Sequence, residues 1–256
     1  MSPAFLEHIR VVLVRPLHPG NVGAAARAMK NMGLRDLVIV APRALDLDAA
    51  AIMAVHARDV LERHRRCDTL ADAIGDCGLV VAASGRAADE HAECASPREL
   101  APAMLSAASC NEVALVFGPE DHGLSKDEIM RCQRVLTIPA TDAYPSLNLA
   151  QAVLICGYEL HLAADADAAR GREPRTLAPA ALGEQMFAAL ERALRAIGFV
   201  HRDNGVHMMR AFRRLFGRAA LDEYETRIVL GLARQIEWAA DQGTRETLTS
   251  RADTGS

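Results

Sequence analysis

Three short stretches of this 256-residue chain combine glycine or proline with side chains that could hold a polar ligand. The first is Pro16-Leu17-His18-Pro19-Gly20-Asn21-Val22-Gly23, which runs into an alanine-rich segment carrying Arg27. A glycine-rich turn entering a helix presents free backbone N–H groups and so suits a phosphate or nucleotide. Asn21 has a side chain able to cap that helix, and Arg27 adds a permanent cation. Taken alone, Arg27 is equally a surface cation and the glycines only a turn. The second stretch is Phe117-Gly118-Pro119-Glu120-Asp121-His122-Gly123-Leu124-Ser125. Gly118 and Gly123 permit a tight loop with close backbone approach, and Glu120 could accept a hydrogen bond from a ribose hydroxyl or an arginine. Ser125 with Glu128 reads as a capping box. Asp121 and His122 are neighbours in a glycine loop and are not expected to form a dyad. The third stretch runs from Ile138 to Leu149, stiffened by Pro139 and Pro145, with Ser146 as the natural N-cap of a long apolar helix and Asn148 beside it.

Such loops need a frame. Residues 9–14, 36–40, 79–84, 112–117 and 134–138 are short apolar runs of the kind buried in a parallel sheet. Helix-patterned stretches at 21–32, 48–66, 69–76, 97–108 and 125–131 lie between them, with a long one at 147–165. Strands alternating with helices predict an α/β domain, a mostly parallel sheet covered on both faces. All three loops then fall at carboxyl ends of strands, where open α/β sheets bind ligands. The first loop lacks the G-x-G-x-x-G spacing, which counts against a nicotinamide-dependent dehydrogenase. Residues 166–178, with Gly171, Pro174 and three arginines, read as a linker. Residues 179–242 show helical period, with Gly198 and Gly217 as stops, and 243–256 read as a flexible tail. The expected layout is an α/β domain over 1–165 and a small all-helical domain over 179–242.

Half of the residues are hydrophobic, enough for a real core. No apolar run approaches the roughly 20 residues a membrane-spanning helix needs. Neither a membrane span nor a secretory leader is expected, and the chain reads as cytoplasmic. Cys67, Cys77, Cys94, Cys110, Cys132 and Cys156 form no C-x-x-C pair, so neither zinc nor another metal is expected. The net charge of −4 is unevenly spread. Residues 1–169 hold 15 Arg and Lys against 22 Asp and Glu, whereas 170–256 hold 14 against 11. Arg192, Arg195, Arg202, Arg210, Arg213, Arg214 and Arg218 share 192–218 with a single acid, Asp203. That asymmetry fits a polyanion-facing C-terminal part, or merely solvated helix faces.

The segments GNVGAAARAMKNMG, FGPEDHGL and IPATDAYPSLNLAQAV, in this order, resemble the three motifs of SPOUT-type RNA 2′-O-methyltransferases. Residues 198–236 are similar to the helical C-terminal extension of the TrmJ family. The resemblance implies an α/β domain ending in a trefoil knot that holds S-adenosylmethionine. Ala83, Ser84, Gly118, Glu120, Ile138, Ser146, Leu147 and Asn148 would line the cofactor pocket. Asn21, Arg27 and Ser146 would handle the acceptor nucleotide, within a homodimer in which Arg27 of one subunit faces cofactor held by the other. The implied reaction is 2′-O-ribose methylation of tRNA, at cytidine or uridine in position 32 of the anticodon loop. Another tRNA position, rRNA, or a non-catalytic RNA-binding role are the alternatives. Arg86, Arg210, Arg213, Arg214 and Arg218 are the expected RNA contacts, although the family's basic loop after the third predicted strand here carries Asp89, Glu90 and Glu93.

Overall fold

The computed structural model describes residues 4–42, 45–85, 94–141, 143, 146–167 and 175–253. The chain divides into two compact units, residues 1–180 and 181–256. In the first, seven strands among the described residues form one parallel sheet: β1 (Ile9–Val14), β2 (Asp36–Val40), β3 (Arg65–Cys67), β4 (Leu79–Ala83), β5 (Cys94–Ala95), β6 (Val113–Phe117) and β7 (Arg134–Leu136). Their order is β3-β2-β1-β6-β4-β7-β5. Every residue of β1 and β6 is buried, as a strand covered on both faces requires. Val11 and Leu13 face a core built with α1 (Pro19–Asn31), α2 (Leu47–Ala54), α5 (Pro97–Ala108) and α7 (Leu149–Asp167). Val12 and Val14 face a second core with α4 (Leu70–Ile74) and the flank of α6 (Lys126–Met130).

The alanines of α1 let neighbouring helices come close. Gly23 goes further, because a Cβ there would lie 1.9 Å from the Ala50 carbonyl oxygen of α2. The sequence reading of Gly23 as part of a turn is therefore corrected: it sits inside α1, which starts at Pro19.

Residues 48–66 do not form one helix. They divide into α2, a 3-10 turn (Val55–Ala57), α3 (Arg58–Glu62) and the start of β3. The break falls at Val55, whose φ of 51° is costly for a β-branched side chain. The strands β3 and β5 lie at the sheet's rims. Arg65 and Arg66 of β3 are exposed, so no apolar run marks that strand.

At the sheet's amino edge, Arg10 is buried to 4% exposure and tied to Asp36 and Asp76 at 2.9 and 2.7 Å. It also donates to the Ala73 carbonyl at 2.7 Å. A buried guanidinium is tolerable only when satisfied in this way. Near the same edge, Asn111 holds the end of the expected linker. Its side chain donates to the Arg175 carbonyl at 3.0 Å and accepts from the Leu177 amide at 2.7 Å. The Ala180 amide donates to the Cys77 carbonyl at 2.9 Å. Among the described residues no helix is long and apolar enough to cross a membrane.

The second unit comprises most of α8 (Ala180–Ala196), then α9 (Gly205–Ala219) and α10 (Glu223–Asp253). Leu190 and Leu194 of α8 pack on Met209 of α9, while Ala189 and Ala193 pack on Ala233 of α10. Gly198 stops α8 with a φ of 76°. Gly217 is no stop: it is a buried position inside α9, and Ala220 takes the left-handed turn instead, at φ 51°.

Candidate functional site

Strand register brings the predicted pocket residues to one edge. Ala83 pairs with Phe117 of β6 and Leu136 of β7, and Phe117 pairs with Leu13 of β1. Ser84, Gly118, Thr137 and Ile138 therefore emerge side by side at the carboxyl ends of neighbouring strands. The Ser84 amide donates to the Leu136 carbonyl at 3.0 Å, extending the ladder by one residue. Gly118 has no room for a side chain, since a Cβ would lie 2.2 Å from the Leu124 nitrogen where the second loop folds back. Gly123 closes that loop with a φ of 72°. Ile138 is partly buried against the larger core, and the Thr137 Oγ1 atom is buried without a partner among the described residues.

Hydrogen bonds join the three loops. Glu120 of the second accepts from the Leu17 amide at 2.9 Å and from Asn21 Nδ2 at 2.7 Å. The His18 amide adds a longer bond of 3.4 Å. Asn148 of the third loop donates to Asn21 Oδ1 at 3.0 Å. Asn21 is thus held from both ends of its amide. Burial pushes the Glu120 carboxyl up, but the donors Asn21, Leu17 and His18 outweigh it and hold its pKa below the ordinary range. Both of its oxygens are engaged by the first loop.

Two capping expectations are corrected. Asn21 does not cap α1: His18 is the N-cap residue, without a side-chain bond, and the Asn21 amide is drawn to Glu120 and Asn148. Nor does Ser146 start α7. The Asn148 side chain accepts from the Ala150 amide at 2.9 Å and the Asn148 amide donates to Gln151 at 3.2 Å. The Ser125–Glu128 capping box forms as read. Asp121 and His122, not expected to form a dyad, are in contact at 2.5 Å on the exposed loop. Sequence reading also missed Arg15, next to β1, which binds Glu128 in bidentate fashion. Opposite charges 113 positions apart leave no local pattern to find.

Other predicted residues stay outside this network. Arg27 is exposed on α1, with no hydrogen-bond partner among the described residues. Ser146 is exposed and Leu147 half-buried. Arg86 and the acids Asp89, Glu90 and Glu93 lie outside the described residues, as do Pro145 and the linker positions 168–174. Among the described residues, no group of three or more His, Cys, Asp or Glu could hold a metal ion.

In the helical unit Arg213 is committed. It pairs with Glu184 at 2.5 and 2.8 Å and lies 4.3 Å from the Phe187 ring centroid. Arg192 pairs with Glu237 at 3.0 Å and Arg195 with Glu191 at 2.6 Å. Arg218 is exposed, and Arg210 and Arg214 are half-buried.

The parallel sheet and its three interlinked loops lie in the part of the chain that a methylase family model matches. The model described as the SpoU rRNA Methylase family matches residues 8–158. A second model, the C-terminal domain of the tRNA methyltransferase TrmJ, matches residues 183–246. The chain belongs to the TrmJ family of SpoU methylases. It is 40% identical over 248 residues to the tRNA (cytidine/uridine/adenosine-2'-O-)-methyltransferase TrmJ of Pseudomonas aeruginosa, covering 92% of this chain and 96% of that protein. It is 37% identical to the tRNA (cytidine/uridine-2'-O-)-methyltransferase TrmJ of Salmonella typhimurium, covering 91% and 97%. The crystal structure of TrmJ from Z. mobilis ZM4 superposes with a TM-score of 0.75 at 31% identity, covering 89% of this chain and 98% of that one.

Proposed function

We propose that this chain transfers a methyl group from S-adenosylmethionine to a ribose 2′-hydroxyl of tRNA, with cytidine or uridine at position 32 of the anticodon loop as the target, and that it works as a homodimer. One observation carries the reading: Asn21, in the loop assigned to the acceptor, is clamped between Glu120 and Asn148 of the other two loops. A side chain fixed from both ends is preorganised, and preorganisation is what a two-substrate transfer most needs. We also assign the family's knot to the first unit.

The strand edge suits the cofactor. Ala83 and Gly118 are small, Ile138 offers apolar surface, and the Thr137 hydroxyl is buried without a partner among the described residues. Ala83, Ser84, Gly118, Ile138, Leu147 and Asn148 would hold the cofactor. When bound, the cofactor supplies an electrophilic methyl on a sulfonium. The protein's part is to align the ribose, which we assign to Asn21 and Ser146, and to stabilise charge as the hydroxyl proton passes to solvent water. A guanidinium stays protonated at any working pH. Arg27 therefore serves as an electrostatic clamp on the neighbouring phosphate and the developing alkoxide, not as a base. Glu120 acts through Asn21, as a positioning residue. Arg210, Arg213, Arg214 and Arg218 are the RNA contacts we assign in the helical unit, with Arg213 held by Glu184 and stacked near Phe187.

The test is label transfer from methyl-labelled S-adenosylmethionine to undermodified tRNA, followed by nuclease mapping. Label in an alkali-resistant dinucleotide of the anticodon loop supports the reading. No label in tRNA, with label in rRNA fragments assayed in parallel, moves the substrate. The Pseudomonas relative's name adds adenosine to the target bases, so tRNAs bearing each base belong in the assay.

A further inference from the structure

We propose that Arg15 and Glu128 form a second clasp between the acceptor loop and the second loop, one that positions Asn21 for methyl transfer. The inference rests on the function proposed above. Arg15 stands at the root of the acceptor loop, where the chain leaves β1, with its amide bonded to the Val40 carbonyl at 2.8 Å. Its guanidinium reaches Glu128 through both terminal nitrogens, with Nη2 to Oε2 at 3.0 Å. Bidentate pairs of this kind fix orientation as well as distance.

Glu128 is itself held on several sides. Its side chain is 13% exposed. The Oε2 atom that receives Arg15 also accepts the Ser125 amide at 2.8 Å, and the Glu128 amide donates back to Ser125 Oγ at 3.3 Å. Arg15 is thereby anchored to the capped start of α6, which terminates the second loop. Glu120, near the start of that loop, binds Leu17 and Asn21 further along the acceptor loop. The two ties straddle Pro16, one before it and one after it. With the Arg15 guanidinium released, Glu120 and Asn148 would be the remaining side chains of the other two loops that hydrogen-bond the acceptor loop.

The backbone at Arg15 has a φ of 47°, a conformation that asparagine tolerates. Arg15→Asn therefore removes the guanidinium without forcing the chain. With the full-length protein and undermodified tRNA, we expect kcat to fall about tenfold or more, on the scale of a loop displaced by less than 1 Å. KM for tRNA and affinity for S-adenosylhomocysteine should stay within about threefold, because the cofactor turns are untouched. Arg15→Lys should recover part of the kcat through one remaining ion pair. Glu128→Gln, which preserves the cap, should mimic Arg15→Asn, and the double variant should be no worse than either. Amide exchange over residues 16–22 should quicken in both single variants. A lower Tm with unchanged kcat well below it, or additive losses in the double variant, would overturn the clasp. Wild-type protein that labels no RNA would instead defeat the proposed function. Exchange over 16–22 then decides alone: unchanged exchange rules the clasp out, and faster exchange retains it.

Discussion

At the residue scale, the roles proposed for Asn21, Glu120 and Arg27 differ in what holds each side chain. Burial raises Glu120, but it accepts from Asn21 and the Leu17 and His18 amides, so its charged form is favoured by folding and its pKa lies below the ordinary value. Glu128 shares that fate: burial raises it, and Arg15 with Ser125 pulls it down further. A group with a depressed folded pKa contributes stability above its unfolded value, about 4.3 for glutamate, and loses it as the pH falls through the folded value. Activity and loop protection should therefore be insensitive to these two carboxylates from neutral pH down to the ordinary glutamate range, and should fail together only once the pH falls below it. Amide exchange over 16–22 measured against pH checks this, and loss already at pH 6 would contradict it. Arg27 is expected to behave differently, because it stands outside the hydrogen-bond network of the loops. Arg27→Ala should reduce kcat by about 100-fold or more, the scale of a lost charge-stabilising donor, with affinity for S-adenosylhomocysteine unchanged within about twofold. Calorimetric titration and single-turnover rates separate the two effects, and an equal loss of cofactor affinity would move Arg27 into the cofactor site.

At the scale of elements, packing against neighbours decides which glycines matter. Gly23→Ala drives a methyl toward the Ala50 carbonyl, 1.9 Å from the ideal Cβ, and both partners are helix backbone. Overpacking of this kind costs about 1–3 kcal/mol or more. Thermal or urea unfolding should show it, while Gly183→Ala, where nothing lies within 4 Å, should be neutral or stabilising. The central strands are legible in the sequence, since β1, β4 and β6 are apolar runs buried on both faces and such runs have few other uses. The rim strands are not, because Arg65 and Arg66 gain a ladder without burying a side chain. The loops are legible through Gly118, Gly123 and the prolines. Their partnerships are not: Asn21 meets Glu120 across 99 positions and Asn148 across 127, and no local period encodes such distances. The same limit hides Arg15 and misassigns the caps, since Asn21 satisfies every local rule for an N-cap yet finds better partners at long range.

For the whole molecule, the question is where one unit ends. Composition places the boundary at 166–178, but Asn111 binds Arg175 and Leu177, and Ala180 continues onto Cys77. The chain is thus held to the first unit as far as the start of α8. Removing residues 181–256 should leave an α/β unit that binds S-adenosylhomocysteine. With Arg210, Arg213, Arg214 and Arg218 gone, its tRNA affinity should fall and the slope of log affinity against log salt should flatten. An unchanged slope would refute the assignment of these arginines to phosphate. Ending the chain at 169 instead discards three further hydrogen bonds, to Asn111 twice and to Cys77 once. At about 0.5–1.5 kcal/mol each, and with Asn111 left partly unsatisfied, the shorter unit should be less stable by about 2–4 kcal/mol. Urea midpoints of the two truncations check this directly. Equal midpoints would mean that residues 175–180 rest on the first unit without stabilising it. A lower midpoint for the shorter form would make them part of that unit's fold.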